Sequence, residues 1–280
     1  MKISVFSDLH TEHYPPIFWY DKKIPIDAAD SKYIVLAGDI GNFGNTGTIE
    51  MVFEILSEQY PNKTILYVLG NHEFYGHIYS NVIEECEKIC SRFNNVFLLE
   101  NNSYIDEDEK VIFIGATLWS DFKLANHQEK SLYIASSIID YSKIAIKDGN
   151  KVRNLTPNDT LNLFNKSYDY IEKQLDNEEF NDYKKVVITH FLPIKEVIDP
   201  KHTTAIKDLI LGAFWASDIP ELVSKSDVWI YGHSHSNINL NIEFENGKKV
   251  KMLSNQQGYQ RFESGDKEIN NFINNFTCEI

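Results

Sequence analysis

The feature that most constrains this chain is a series of short runs that are apolar at nearly every position: residues 3–7, 33–37, 64–69, 96–99, 111–116, 186–189 and 228–231. A strand wetted on one face alternates apolar and polar residues, whereas a continuous apolar run suits a strand covered on both faces. Segments with helical spacing lie between the runs. Ile49, Val52, Phe53 and Leu56 share one helical face, as do Val82, Cys86, Ile89, Cys90 and Phe93. Leu161, Phe164, Tyr168, Ile171 and Leu175 form a third face. Ahead of it, Thr156-Pro157-Asn158-Asp159 supplies a cap, a first-turn proline and an acid at the third helical position. Strands alternating with helices predict a layered α/β fold with a largely parallel sheet. Residues 237–253, with a turn at Asn246-Gly247, predict added antiparallel pairing.

No repeat, low-complexity tract or linker divides the 280 residues, so a single domain over 1–280 is expected. Segment 121–150, part amphipathic and part polar, reads as a lid or cap insertion, and 255–280 as a peripheral C-terminal segment. The 27 basic and 41 acidic residues leave a net charge of −14, which repels a phosphate backbone and argues against nucleic acid as partner. The three cysteines, Cys86, Cys90 and Cys278, form no disulfide framework and fit a reducing cytoplasm. No apolar run approaches the ~18 residues of a membrane span, and the N-terminus reads as a first strand rather than a signal peptide.

Polar residues of one chemical kind follow five of the apolar runs. The first ends in Ser7-Asp8-Leu9-His10, with Asp8 and His10 expected on one side of an extended chain. The others end in Gly38-Asp39, Gly70-Asn71-His72-Glu73, Thr189-His190 and Gly232-His233-Ser234-His235. Loops at the carboxyl ends of strands are where α/β sheets place ligands. A single buried histidine or DxH is commonplace, but five such ends in chain order are not, and the glycines permit the close backbone approach that a crowded ion site needs.

Mixed carboxylate, imidazole and amide donors suit manganese, iron, zinc or nickel better than calcium or magnesium. They outnumber the ligands of one tetrahedral ion, and two divalent ions sharing a carboxylate would use them all. Paired metals are a standard device for in-line attack on phosphorus by a water whose pKa they lower.

The order DLH, GD, GNHE, TH and GHSH, spanning residues 8–235, resembles the calcineurin-like metallophosphoesterase superfamily. The resemblance implies a four-layer α-β-β-α sandwich, two mixed sheets flanked by helices, with a dimetal site at the strand carboxyl ends. It implies that Asp8, His10 and His235 bind one metal, that Asn71, His190 and His233 bind the other, and that Asp39 bridges them. His72 would instead contact the substrate phosphate and protonate the leaving group. The segment Ser254-Asn255-Gln256-Gln257-Gly258-Tyr259 is similar to the NPRGY stretch of a bacterial and phage-type branch, with glutamines replacing proline and arginine.

The acid and arginine that follow GD in the serine/threonine protein phosphatases are absent, and the chain holds only Arg92, Arg153 and Arg261. Bidentate arginine clamping of phosphate is therefore not the main recognition device. The expected function is a phosphodiesterase acting on a nucleotide-type or other small substrate through a metal-bridging water. A phosphomonoesterase, a nuclease and a non-catalytic metal-binding scaffold are the alternatives. His13 and Arg153 are candidate substrate contacts, Trp119 and Phe122 read as core, and 191–218 reads as a cover that sets specificity.

Overall fold

Each continuous apolar run becomes a strand. The computed structural model describes residues 1–44, 47–203, 205–261, 266–267 and 271–280. Its strands are β1 (Lys2–Phe6), β2 (Tyr33–Ala37), β3 (Thr64–Val68), β4 (Val96–Leu98), β5 (Asn102–Asp106), β6 (Val111–Ala116), β7 (Ala145–Asp148) and β8 (Lys151–Asn154). They continue with β9 (Lys184–Thr189), β10 (Val228–Ile230), β11 (Asn239–Glu243), β12 (Lys249–Leu253), β13 (Gln260–Arg261), β14 (Asp266–Lys267) and β15 (Thr277–Glu279). One sheet runs β15-β1-β2-β3-β4, the other β11-β12-β10-β9-β6-β5. Strands β1 to β4 are parallel and β15 closes their edge antiparallel to β1. In the second sheet β6, β9, β10 and β12 are parallel, with β5 and β11 antiparallel at the edges.

The period of two along each strand sorts the apolar runs between two cores. Val5, Tyr33, Val35, Leu66, Val68, Val111, Phe113, Val186, Ile188, Val228 and Ile230 pack between the sheets. Their neighbours Phe6, Ile34, Leu36, Ile65, Tyr67, Ile112, Ile114, Val187 and Trp229 face the helical layers. These are two mixed sheets flanked by helices, the expected sandwich. The helices at Thr48–Gln59 and Tyr79–Cys90 bury the anticipated faces, although Phe93 falls past the second helix's end. The helix Pro157–Leu175 carries the anticipated capping box, in which the Asp159 amide donates to Thr156 Oγ1 and the Thr156 amide to Asp159 Oδ2.

Segment 121–150 holds the helices Gln128–Ala135 and Asp140–Lys143 and the strand β7, which pairs with β8. It is tied beside β3's following loop, where the Gly76 amide donates to the Lys143 carbonyl and the Ala145 amide to the His77 carbonyl. Within 255–280, residues 262–265 and 268–270 lie outside those described. The rest is less peripheral than expected: β15 completes a sheet, and the Ser7, Gln257 and Gly258 amides tie residues 255–258 to the first strand's end. Among the described residues no helix is long and apolar enough to cross a membrane.

At Gly115 the sheets approach too closely for a side chain. A Cβ there would lie 2.3 Å from Leu99 Cβ and 2.9 Å from Val68 Cγ1. Gly115→Ala should therefore lower the unfolding free energy by about 1–3 kcal/mol, the cost of overpacking a dense core. Urea denaturation checks this, and an unchanged midpoint would show that the sheets can part freely.

Candidate metal centre

The five polar strand ends meet at one edge of the sandwich. Three follow the adjacent parallel strands β1, β2 and β3, and two follow the adjacent strands β9 and β10, so the centre straddles both sheets. Asp8, His10, Asp39, Asn71 and His190 are buried, whereas His233 and His235 are partly exposed. The loops are zipped by their backbones: the Asp8 amide donates to the Gly38 carbonyl, the His10 amide to the Asp39 carbonyl and the Gly232 amide to the His190 carbonyl. Two glycines make the closeness physical. A Cβ on Gly38 would lie 2.3 Å from His190 Nδ1, and one on Gly70 would lie 2.1 Å from Asp39 Oδ1.

The expectation that Asp8 and His10 are extended is not met. Asp8 (φ 52°), His10 (φ 46°), Asp39 (φ 52°), His233 (φ 73°) and His235 (φ 52°) all have left-handed backbones. Such a conformation costs a side-chain-bearing residue roughly 1–3 kcal/mol and persists where its surroundings enforce it. Here it turns each side chain back over the strand ends.

The ligand atoms fall into overlapping groups. The sets Asp8/His10/His235, His10/Asp39/His72 and Asp39/His190/His233 each offer atoms within 4.8 Å of one another. Asp39 Oδ2 joins the groups, 3.9 Å from His10 Nε2 and 3.4 Å from His190 Nε2. In the first group His10 Nε2 lies 3.3 Å from His235 Nε2, which is 3.4 Å from Asp8 Oδ1. In the third, His190 Nε2 lies 3.1 Å from His233 Nδ1, and Asn71 Oδ1 stands 3.3 Å from the same nitrogen.

The donor set fits divalent ions on chemical grounds. His190 Nδ1 donates to the Ala37 carbonyl at 2.9 Å, so in the neutral ring Nε2 carries a lone pair. That lone pair faces an amide oxygen, a carboxylate oxygen and another imidazole nitrogen. Acceptors pointed at acceptors are held together by a proton or a cation between them. Burial opposes a charge on His190, yet the Asp39 carboxylate outweighs it and pushes the ring up to about 10. Burial and the neighbouring His190 charge push His233 down to about 3. Burial opposes ionisation of Asp39 too, but His190 and His72 hold its carboxyl well below the usual range.

Several residues that the sequence analysis did not single out position this set. Glu73 is fully buried, and its carboxylate accepts the amides of Asp39 (3.1 Å), Ile40 (2.8 Å) and Gly70 (2.9 Å) and the Tyr67 hydroxyl (2.8 Å). Glu12 Oε1 lies 3.2 Å from His10 Nδ1 and 3.6 Å from His72 Nδ1. By accepting from His10 Nδ1 it turns that ring's Nε2 lone pair toward the centre. Asp140 Oδ1 accepts from Asn71 Nδ2 at 3.0 Å and also from the Tyr75 hydroxyl, so Asn71 Oδ1 is the atom aimed inward. Gln256, in the arginine-free segment, accepts the His235 amide on Oε1 (2.5 Å) and donates from Nε2 to Ser234 Oγ (3.1 Å) and the Ser236 carbonyl (2.9 Å). Tyr259 stacks on His10 (centroids 4.4 Å apart) and places its hydroxyl 3.1 Å from His72 Nε2.

His72 stands beside the cluster, its amide donating to Asp39 Oδ1 at 2.9 Å. Burial opposes its charge, but Asp39 and Glu12 push it up to about 9. His13 lies at the rim with its side chain 51% exposed. Arg153 is not gathered with these residues: its guanidinium binds Asp148 (3.0 Å) and Asp159 (2.6 and 3.0 Å) beside the capped helix. Trp119 and Phe122 are buried core.

A two-sheet sandwich with carboxylate, imidazole and amide oxygens converging at its strand ends defines a metal-dependent phosphoesterase. Residues 1–237 match the calcineurin-like phosphoesterase family, and the chain belongs to it. It is 30% identical over 287 residues to a protein of Acanthamoeba polyphaga mimivirus described only as uncharacterized, covering 95% of this chain and 92% of that one. Its fold is similar to the NAD nucleotidase of Haemophilus influenzae (13% identity, TM-score 0.44, 91% of this chain and 45% of that one). It is likewise similar to a 5'-nucleotidase precursor from Thermus thermophilus (15% identity, TM-score 0.43, 91% of this chain and 48% of that one). This chain thus spans about half the length of both structures, and likeness at that level says nothing of substrate.

Two outcomes are expected. Near pH 8 the metal-free His190 ring is protonated, since pH 8 lies below its raised value of about 10. Manganese uptake should therefore release about one proton, because a coordinating imidazole must be neutral. Calorimetry in buffers of different ionisation enthalpy reads that proton, and buffer-independent heats would contradict the arrangement. Asp140→Ala should weaken metal binding about 10–100-fold, the usual effect of losing a carboxylate behind a ligand. Metal titration followed by elemental analysis measures this.

Proposed function

We propose that the chain is a dinuclear phosphodiester hydrolase acting on a nucleotide-type or other small substrate. The observation that carries this reading is Asp39 Oδ2, which lies between two groups of candidate metal ligands. Asp8, His10 and His235 would hold one ion, Asn71, His190 and His233 the other, and Asp39 both. Manganese is the metal proposed, with iron, zinc or nickel as alternatives that the imidazole donors also suit. When bound, the ions would lower the pKa of a water and neutralise phosphoryl oxygens.

The chain's own residues supply the rest. His72, held beside Asp39 by its amide and beside Glu12 by its ring, would give a proton to the departing oxygen. The Tyr259 hydroxyl orients the Nε2 atom from which that proton leaves. His13, at the rim, is the candidate contact to the substrate's outer part. The lean toward a diester follows from charge. Bidentate arginine clamps suit a monoester dianion, yet Arg153 is engaged elsewhere and Arg92 pairs with Glu50. The singly charged diester suits a centre with carboxylates around it. A cytoplasmic setting accords with three buried free cysteines.

The test compares p-nitrophenyl phosphate with bis-p-nitrophenyl phosphate on metal-stripped protein reloaded with manganese. Diester turnover should dominate and vanish in Asp39→Asn. His72→Ala should keep its metal and lose about 10²–10⁴-fold in kcat. Monoester preference would overturn the diester reading, and intact activity in His72→Ala would overturn the acid role.

A further inference from the structure

The loop that follows His190 turns back to the centre and leaves a recess there. The Ser217 amide donates to the Leu192 carbonyl at 2.9 Å, and Leu192 bridges Ala216. These contacts pin the neighbouring Trp215 beside the strand end that carries His190. Opposite it stands the short turn Pro200–His202, whose cap Asp199 accepts the Lys201 amide at 3.0 Å. Trp215 and His202 meet edge to face, with centroids 6.1 Å apart and planes at 79°. Together with Asp199, His233 and Ser234 they line a cavity of about 220 Å³.

His233 is common to the recess and the centre. Its Nδ1 looks at His190 Nε2, one ring face stacks on Phe191 (4.3 Å, 26°), and the ring forms a wall of the cavity. A group esterified to phosphorus at the centre would reach the recess past this ring. The cavity is smaller than the usual ~300–1,000 Å³ of a drug-sized site, so it suits one planar ring system. Its aromatic corner offers a stacking surface, and its carboxylate accepts N–H donors while repelling a second phosphate. A carboxylate has about four acceptor positions, and Lys201 occupies two of those on Asp199, through its amide and its ammonium at 2.9 Å.

We propose that this recess is a subsite for an amino-bearing nucleobase of the substrate, stacked on Trp215 and hydrogen-bonded through its exocyclic amine to Asp199. The proposal rests on the phosphoester reading above and specifies its substrate class. Base stacking on one aromatic side chain is worth about tenfold in affinity.

The experiment uses adenosine 5'-monophosphate, phenyl phosphate and inorganic phosphate as probes of the manganese-loaded full chain. Each is measured as an inhibitor of bis-p-nitrophenyl phosphate hydrolysis and, independently of turnover, by calorimetry. The nucleotide should bind about tenfold tighter than inorganic phosphate. Trp215→Ala should erase that advantage and leave phosphate affinity and metal content unchanged. Asp199→Asn, a conservative change on an exposed turn, should weaken the nucleotide but not phenyl phosphate. A nucleotide bound no tighter than phosphate, or an advantage that survives in both variants, overturns the subsite. Phenyl phosphate binding as tightly as the nucleotide overturns the choice of an amino-bearing base. If no ester is hydrolysed but the nucleotide still binds in a Trp215-dependent way, the hydrolase reading fails while the subsite stands.

Discussion

Lone pairs repel, and at the carboxyl end of this sandwich those of Asp8, His10, Asp39, Asn71, His190, His233 and His235 are brought together, the first five of them buried. Such an arrangement is unstable by itself, so the fold around it is a set of constraints that keep the acceptors facing one another. Left-handed backbones at five of these residues turn the side chains inward. Glycines at 38 and 70 let neighbouring loops approach to distances that any Cβ would block. The Glu73 carboxyl group gathers the amides of the β2 and β3 loops onto one buried side chain. The two apolar cores supply the stiffness that makes these constraints rigid.

The strain and the chemistry are connected through the strand order. Adjacent strands β1, β2 and β3 deliver three polar loops, and adjacent strands β9 and β10 deliver two more from the facing sheet. Packing at the interface, centred on residues such as Val35, Val68 and Ile188, sets the distance between those loops. A hydrolytic centre assembled from two sheets is therefore only as well defined as the contact between them.

Much of this was legible in the sequence because it obeys local rules. Continuous apolar runs announced strands covered on both faces, helical spacing located three of the helices, and the polar strand ends hold side chains that the fold brings close together. What escaped notice depends on contacts between distant residues. Glu12 and Asp140 look like ordinary polar residues until the fold sets them against His10 and Asn71, and Gln256, visible in its segment, shows its bond to the His235 amide only in the fold. Glu73 was visible within its motif, but its partners at positions 39 and 40 were not. The edge strand Asn102–Asp106 has neither a continuous nor a cleanly alternating pattern, and β15 is only Thr277–Glu279. Arg153 looked available because arginine so often meets phosphate, but the capping acid Asp159 that engages it belongs to a helix start remote from every active-site motif.

The link from Asp140 to Asn71 has a thermodynamic side. The helix that carries Asp140 leads directly into the β7–β8 hairpin, and its Lys143 carbonyl is bonded to Gly76 beside the same metal-facing loop. Linkage between two sites is reciprocal. An ion held by Asn71 would stiffen that outlying hairpin by the same free energy with which an ordered hairpin tightens the ion. Segment 140–154 would then behave as a gauge of occupancy, so that the slowing of its amide exchange on metal uptake reports the state of a centre it meets through Asp140.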